Sequence, residues 1–311
     1  MHVTQINGLH VQKNCGQRED NSMGYQIFTD ATADLNDDLL FGLPNVEIIP
    51  MEILVGGGAY VYGPEGNITI EKFYKMLREG AYASTSQIRP QTYRKYFTPY
   101  LEAGQDILYL GFTSGLSGTM NSAYLSAREL EEEYPDRKIL CVDTLCASVG
   151  EGFLVHEALK KQAEGMDIEE LAMWAAGNCL NVCHWFSVDT FEHLKHGGRV
   201  SNAAAVAGSV LNIKPLLHVD DEGKLKVVEK PRGYKVALKA KLSRMDEGWK
   251  PELGNLVIIG HGDCIERAEE CKQKILEQHP EADVHIADIG PVIGAHTGPG
   301  VLAAIYWGDN R

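Results

Sequence analysis

Two hydrophobic rhythms alternate along the first half of the chain. Short apolar runs, "YQIF" (25–28), "VEIIPMEILV" (46–55), "DILYLG" (106–111) and 138–142, predict strands, the longest as one extended run. "AYVYG", after three glycines at 56–58, predicts a short hairpin arm. Between them lie amphipathic stretches that predict helices. "TIEKFYKMLREG" has Thr69 as N-cap and Gly80 as stop, and "PQTYRKYFTPYLEAG" opens on Pro90 and closes at Gly104. Further helices are expected at 117–134 and near 148–164 and 167–179. Strands that alternate with helices imply a parallel sheet covered on both faces, with ligands gathering at the carboxyl ends of its strands.

After about residue 175 the rhythm changes. "CHWFSV" reads as a strand, "TFEHLKHGG" as a short helix, and "SNAAAVAGSVL" as a small-residue helix capped by Ser201. "KPLLHVDDEGKLKVVEK" predicts a β-hairpin turned by Asp220, Asp221 and Gly223. Helix, strand, helix and strand follow, and "GVLAAIYW" closes the chain with an apolar run. A hairpin beside helix-linked strands implies a mixed sheet. The expected class is therefore α/β in two domains: an α/β/α parallel-sheet domain at 25–172 and an α+β mixed-sheet domain at 173–311. Residues 1–24 are polar and irregular, an extension outside the fold in which Met23 is a candidate start.

Composition narrows the function classes. The 311 residues are 44% hydrophobic and 23% charged, with a formal net charge of -14 that argues against nucleic acid as a partner. No apolar segment approaches the roughly 18 residues of a membrane span, and no secretory pattern opens the chain. A cytoplasmic protein is expected. The seven cysteines, at 15, 141, 146, 179, 183, 264 and 271, read as buried free thiols in a reducing compartment. "CLNVCHW" is the best metal candidate but lacks a second ligand pair, so no metal is expected.

The chemistry gathers on "GFTSGLSGTMNSA" (111–123), which joins a strand to a helix. A helix N-terminus carries unsatisfied N–H groups and the positive end of the helix dipole, so an oxyanion is stabilised there by about 0.3–1 kcal/mol. The loop offers glycines at 111, 115 and 118 for close approach and hydroxyls at Thr113, Ser114, Ser117 and Thr119. Four occupants fit: a phosphate, the substrate of a nucleophilic serine, a carboxylate, or nothing beyond a tight turn. A phosphate loop is excluded because G-x-x-x-x-G-K-[ST] is absent, and "GLSGT" misses the nucleophile elbow at its last position. The order Ser117, Asp263, His296 mimics a hydrolase triad, while a serine that merely caps the helix is the plain structural alternative. "STSQIRP" (84–90) is a second hydroxyl cluster before a helix. "TDATADL" (29–35) reads as a capped strand end, "HGGRV" sets Arg199 after two glycines, and "IGPVIGAHTGPG" puts His296 in a glycine- and proline-rich loop.

In this order the segments resemble the DegV family from Tyr25 to Trp307, through "TDATADL", "TSQ" at 85–87, "TSGLSGTMNSA", "LKHGGRVS", "LNIKPLL", "RGYKVAL" and "VIGAHTGPGVLA". The resemblance implies a two-domain fold, related to dihydroxyacetone-kinase-like proteins, that holds one long-chain fatty acid in a buried tunnel between the domains. Some members are the lipid-binding subunit of a fatty acid kinase whose separate ATP-binding partner phosphorylates the acyl carboxylate. By the same resemblance Thr85, Ser86, Ser114, Ser117, Gly118 and Thr119 hold the carboxylate, with Ser117 and the Gly118 amide first and Ser114 second. Arg199 and His296 are then exposed at the head-group mouth, facing the kinase or the developing acyl phosphate. The implied protein is non-catalytic and needs no cofactor; the alternative is a serine hydrolase acting on acyl esters through Ser117. Three residues depart from the family pattern: Ala31 replaces a serine, and Ile88 and Arg89 replace the proline and serine of "TSQPSP".

Overall fold

The computed structural model describes residues 4–6, 9–11, 24–200, 212–309 and 311. Its first sheet joins β3 (Tyr25–Asp30), β4 (Val46–Ile49), β8 (Asp106–Gly111) and β9 (Ile139–Asp143) in the order β4-β3-β8-β9, every pair parallel. The uninterrupted apolar runs follow from burial on both faces. Ile107 and Tyr109 enter a core with α3 (Pro90–Glu102) and α4 (Thr119–Glu133), through Phe97, Ala123 and Leu130. Leu108 and Leu110 enter another with α5 (Val149–Ala163) and α6 (Ile168–Asn178), through Phe153 and Leu171.

The extended run at 46–55 is not one strand. Pro50 has no N–H to give a ladder, so the chain leaves the parallel sheet there. It continues as β5 (Met51–Val55), which pairs antiparallel with β6 (Gly58–Tyr62) and β7 (Ala83–Thr85) in a separate sheet. Between those partners runs α2 (Ile70–Arg78), with the Thr69 hydroxyl accepting from the Lys72 N–H at its start, as the cap pattern predicts. A short α1 (Asp37–Leu40) follows β3.

The second large sheet is mixed, in the order β12-β11-β10-β15-β13-β14. Its members are β10 (Val182–Ser187), β11 (Leu216–Val219), β12 (Leu225–Glu229), β13 (Leu256–His261), β14 (Asp283–Asp288) and β15 (Leu302–Trp307), and only β13 and β14 are parallel neighbours. One face, with Cys183, Trp185, Val257 and Ile259, packs under α8 (Tyr234–Gly248) and α9 (Ile265–Gln278). The other face, with Val182, Phe186, Ile258 and Ile305, shares a core with α5. That helix touches β8 of the first sheet and β10, β13 and β15 of the second. Phe153, fully buried on α5 and edge-on to Trp307 at 4.9 Å, is the kind of core residue whose truncation costs about 3–5 kcal/mol.

Residues 4–6 and 9–11 are β1 (Thr4–Ile6) and β2 (Leu9–Val11), paired antiparallel with Ile6 opposite Leu9. The 172/173 border falls inside α6, which runs to Asn178 before a 3-10 turn, Cys179–Asn181, leads into β10. The "IGPVIGAHTGPG" segment is not a loop throughout, because Pro291 starts α10 (Pro291–Thr297). The expected helix at Ser201 lies outside the described residues. Among those described, no helix is long and apolar enough to cross a membrane.

Candidate functional site

A cleft of about 1080 Å³, counting its open mouth, lies between the carboxyl ends of the parallel strands and the inner face of the mixed sheet. Its polar end is built from two loops and a helix. Thr85 closes β7, held opposite Ile53 of β5. Ser117, Gly118 and Thr119 form the entry to α4. His296, on α10, reaches across to place its Nε2 2.9 Å from Thr85 Oγ1. Apolar residues make up much of the remaining lining, including Phe112, Val292 and Val301 and, from the mixed sheet, Phe186, Val219 and Ile305.

Counting protons shows what the polar end can offer. Ser117 Oγ accepts the Thr119 N–H at 3.2 Å and lies 2.9 Å from Thr119 Oγ1. One hydroxyl proton joins those two oxygens, and the other is free to point at a ligand. Burial first, then the positive charge of Arg199 and His196, pushes the His296 pKa down to about 4. The ring is therefore neutral at pH 7. With its proton on Nε2 it donates to Thr85 and frees the Thr85 proton for a second outward bond. His296 Nδ1 is buried without a partner. Among the described residues the end thus presents hydroxyl donors, with the exposed Arg199 also in the lining, a set suited to an oxyanion held by hydrogen bonds.

Most of the expected site residues meet here. Thr85, Ser86, Ser117, Gly118, Thr119, Arg199 and His296 all line the cleft. Ser114 does not: its side chain is exposed and its N–H donates to the Asp143 carboxylate at 3.1 Å, so it serves the loop rather than the cleft. His296 is half-buried against Thr85 instead of exposed at the mouth, whereas Arg199 is exposed with its guanidinium on the Gly197 carbonyl. The triad does not assemble. Ser117 is paired with Thr119, His296 with Thr85, and Asp263 with Arg78 on the surface.

The loop glycines also have a structural reason. A side chain at Gly115 would strike the backbone of Glu222 and Gly223, because the β11–β12 hairpin tip docks there and Thr113 Oγ1 donates to the Gly223 carbonyl at 3.0 Å. At Gly118 it would meet the Gln87 side-chain oxygen. Gln87 lines the cleft although only its two neighbours in "TSQ" were expected to. His184 and Thr32 were missed as well. Strand alternation gives a cue for the first, since His184 and Phe186 share a face of β10.

Thr32 sits on a buried acidic network. Its hydroxyl contacts Asp30 and also Glu151 Oε2 at 2.7 Å, while Tyr109 donates to Asp30 at 2.6 Å and Thr29 to Glu151 at 3.0 Å. One hydroxyl proton cannot serve both carboxylates, so one carboxyl carries a proton of its own. Burial accordingly raises both pKa values. The carboxylate of Asp30 in "TDATADL" is thus held in a buried network, while Thr32 of the same stretch lines the cleft. Ala31 is buried near Gly63, away from the cleft lining; Ile88 is buried in the α3 core and Arg89 lies on an outer groove beside Ser86 and Gln87.

The described cysteines are buried free thiols. In the metal candidate, Cys179 Sγ donates to Ala176 O while His184 is engaged by backbone on both ring nitrogens, and no group of three or more His, Cys, Asp or Glu among the described residues could hold a metal ion.

A family model described as "Uncharacterised protein, DegV family" matches residues 25–308. The chain belongs to the DegV family. A DegV domain-containing protein of Clostridium perfringens is 39% identical over 287 residues, covering 92% of this chain and 98% of its own. Among solved structures, a DegV family protein from Thermus thermophilus, described by its fatty acid binding, is similar at 29% identity and a TM-score of 0.80, covering 92% of this chain and 100% of that one. The Streptococcus pneumoniae Fatty Acid Kinase (Fak) B3 protein, loaded with linoleic acid, superposes with a TM-score of 0.81 over 92% of this chain and 99% of its own. At 21% identity that likeness speaks to the DegV fold alone.

Proposed function

We propose that this DegV protein binds one long-chain fatty acid in the cleft between its two large sheets and presents the carboxylate to an ATP-dependent fatty acid kinase subunit. The observation that carries the reading is the cleft's polarity: an apolar wall from the mixed sheet runs up to an end that offers hydroxyl protons and a neutral imidazole. A single oxyanion on an apolar tail matches that pattern, and the Thermus thermophilus relative is described by fatty acid binding. At about 0.8 kcal/mol per buried methylene, a tail of about fourteen methylenes represents on the order of 10 kcal/mol before the entropy of binding is charged against it. The tail supplies affinity and the hydroxyls orient the head.

Thr85, Ser117 and Thr119 are the head-group donors in this reading, with the N–H groups at the start of α4 behind them. Presentation to a kinase draws on the family resemblance and on Arg199, exposed beside the head-group end, where its planar fork suits a phosphate. Phosphoryl transfer is assigned to the partner because the sequence has no phosphate-binding lysine loop.

Denaturing mass spectrometry of protein purified from cells tests the binding step. Near-stoichiometric fatty acid is expected. An empty protein that turns over acyl esters would overturn the reading in favour of a hydrolase.

A further inference from the structure

The inner face of the mixed sheet gives the cleft a direction. Along β15 and the residue before it, Val301, Ala303 and Ile305 line the cleft in turn, and along β10 Phe186 and His184 do so. The strands are antiparallel, with Phe186 opposite Ala303 and His184 opposite Ile305. Val301 follows α10, which carries the His296 that meets Thr85, after the turn at 298–300, and the His184–Ile305 rung is about 13 Å further along the strand than Val301. The next rung, Val182 opposite Trp307, belongs to the packed core, where Trp307 sits on Phe153 and, at 6.2 Å, on Trp174. The cleft therefore ends at His184 and Ile305.

His184 is an unusual wall for an apolar slot, and it cannot yield. Nδ1 lies 2.8 Å from the Val182 carbonyl, which can only accept, so Nδ1 carries the proton. Nε2 is then the acceptor for the Ala147 N–H at 3.3 Å. Both nitrogens are used by backbone, and the ring is part of the cleft lining. Behind the ring, a methyl group at Gly150 of α5 would collide with Nε2. A Leu or Met here could change rotamer to admit another methylene. This ring is fixed on two hydrogen bonds and backed by a helix.

We propose that His184 is the specificity-determining stop of the cleft, setting the longest acyl chain the protein retains. The inference rests on the fatty acid reading and adds which residue selects among fatty acids. Burial, first, and the nearby Arg311 charge keep the ring neutral, so it acts as a wall rather than as a charge.

The test is the acyl-length profile of lipid co-purified with the wild type, His184→Ala and Ile305→Ala, read by mass spectrometry. Competition between fatty acids two carbons apart follows on delipidated protein. His184→Ala is expected to move the dominant bound acid to a longer chain. Each newly admitted methylene favours retention about fourfold, the equivalent of its ~0.8 kcal/mol, so a two-carbon step gives about fifteenfold. His184→Ala also leaves the Ala147 N–H without its ring partner and can fail to fold. Ile305→Ala removes no hydrogen bond and reports on the same rung, with the same direction of shift expected. Fatty acid bound by every variant with an unchanged length profile overturns the stop while leaving the fatty acid reading intact. A wild type that carries no fatty acid overturns the reading itself.

Discussion

Asp34 offers a direct test of how the cleft wall is held. Its carboxyl is buried, with Oδ2 2.5 Å from Ser148 Oγ and Oδ1 accepting the Gly290 N–H at 2.9 Å, so it ties the end of β3 to the loops that open α5 and α10. Burial raises its pKa to about 8, against the two hydrogen bonds, with Asp288 and Asp30 adding to the rise. Between the unfolded value near 4 and the folded value near 8, the folded protein holds a proton that the unfolded chain does not. Stability therefore falls as pH rises, by about 1.4 kcal/mol per unit until the folded pKa is reached. Between pH 6 and pH 8 the loss from this group is about 2 kcal/mol, the slope flattening as the carboxyl titrates. Asp34→Asn isolates it. Asparagine has the shape of the protonated acid and tolerates the left-handed backbone at this position, where φ is 49°. Urea melts of both proteins at pH 6, 7 and 8 should show the variant gaining about 2 kcal/mol on the wild type over that range. A gap that stays flat, together with a variant that is weaker at pH 6, would mean that Ser148 and Gly290 hold an ionised carboxylate, and the reasoning from burial would fail.

Two further predictions concern the head group. Thr85→Val keeps the shape of the side chain and removes a donor to a charged group, a loss of about 1.5–3 kcal/mol, so retention of fatty acid after delipidation and rebinding should fall at least tenfold at an unchanged fold; equal retention would take the carboxylate away from Thr85. Arg199→Ala should leave retention untouched and slow acyl-phosphate formation by a cognate kinase, followed with labelled ATP. Retention falling in step with phosphorylation would place Arg199 among the ligand's own contacts.

The alternation of strands and helices was legible because each parallel strand is buried on both faces, which leaves long apolar runs between amphipathic helices. Pro50 was equally visible, yet whether a proline ends a strand or sits at its edge depends on the neighbouring strand, which is chosen by tertiary contacts. The polar end of the cleft was readable from "TSQ" and "GLSGT" because hydroxyls at a strand end and a helix entry are brought to one place by the fold class. Ser114 ranked second to Ser117. They differ because the chain turns between them and directs the Ser114 N–H to Asp143, a partner 29 residues away. His296 was recognised, but its burial was not, since that depends on α10 packing against β7 and α7 (Glu192–Gly197). His184 carried the weakest cue. A histidine within an apolar strand gives no sign of which side faces a ligand until its neighbours in the sheet are known.

The two sheets make unlike contributions to one cavity, and α5 is the reason they can. The parallel sheet ends in loops that collect hydroxyls and helix N–H groups, the usual place for a ligand in such a fold. It has no apolar surface to spare there, since its own faces are filled by helices. The mixed sheet has the opposite character. Its inner face is apolar, and α5 covers only part of it, leaving Phe186, Ala303 and Ile305 at the cleft. Because α5 packs on both sheets, the gap it leaves is bounded by loops on one side and strands on the other. An amphipathic ligand that fits such a gap completes the inter-sheet core with its tail and satisfies the loops with its head. On the proposed reading, length is set where α5 meets the sheet, at His184 over Gly150, and head-group chemistry where α10 meets β7, at His296 over Thr85. The two selections lie on different elements and share no side chain, so substitutions at one end should add to those at the other rather than couple.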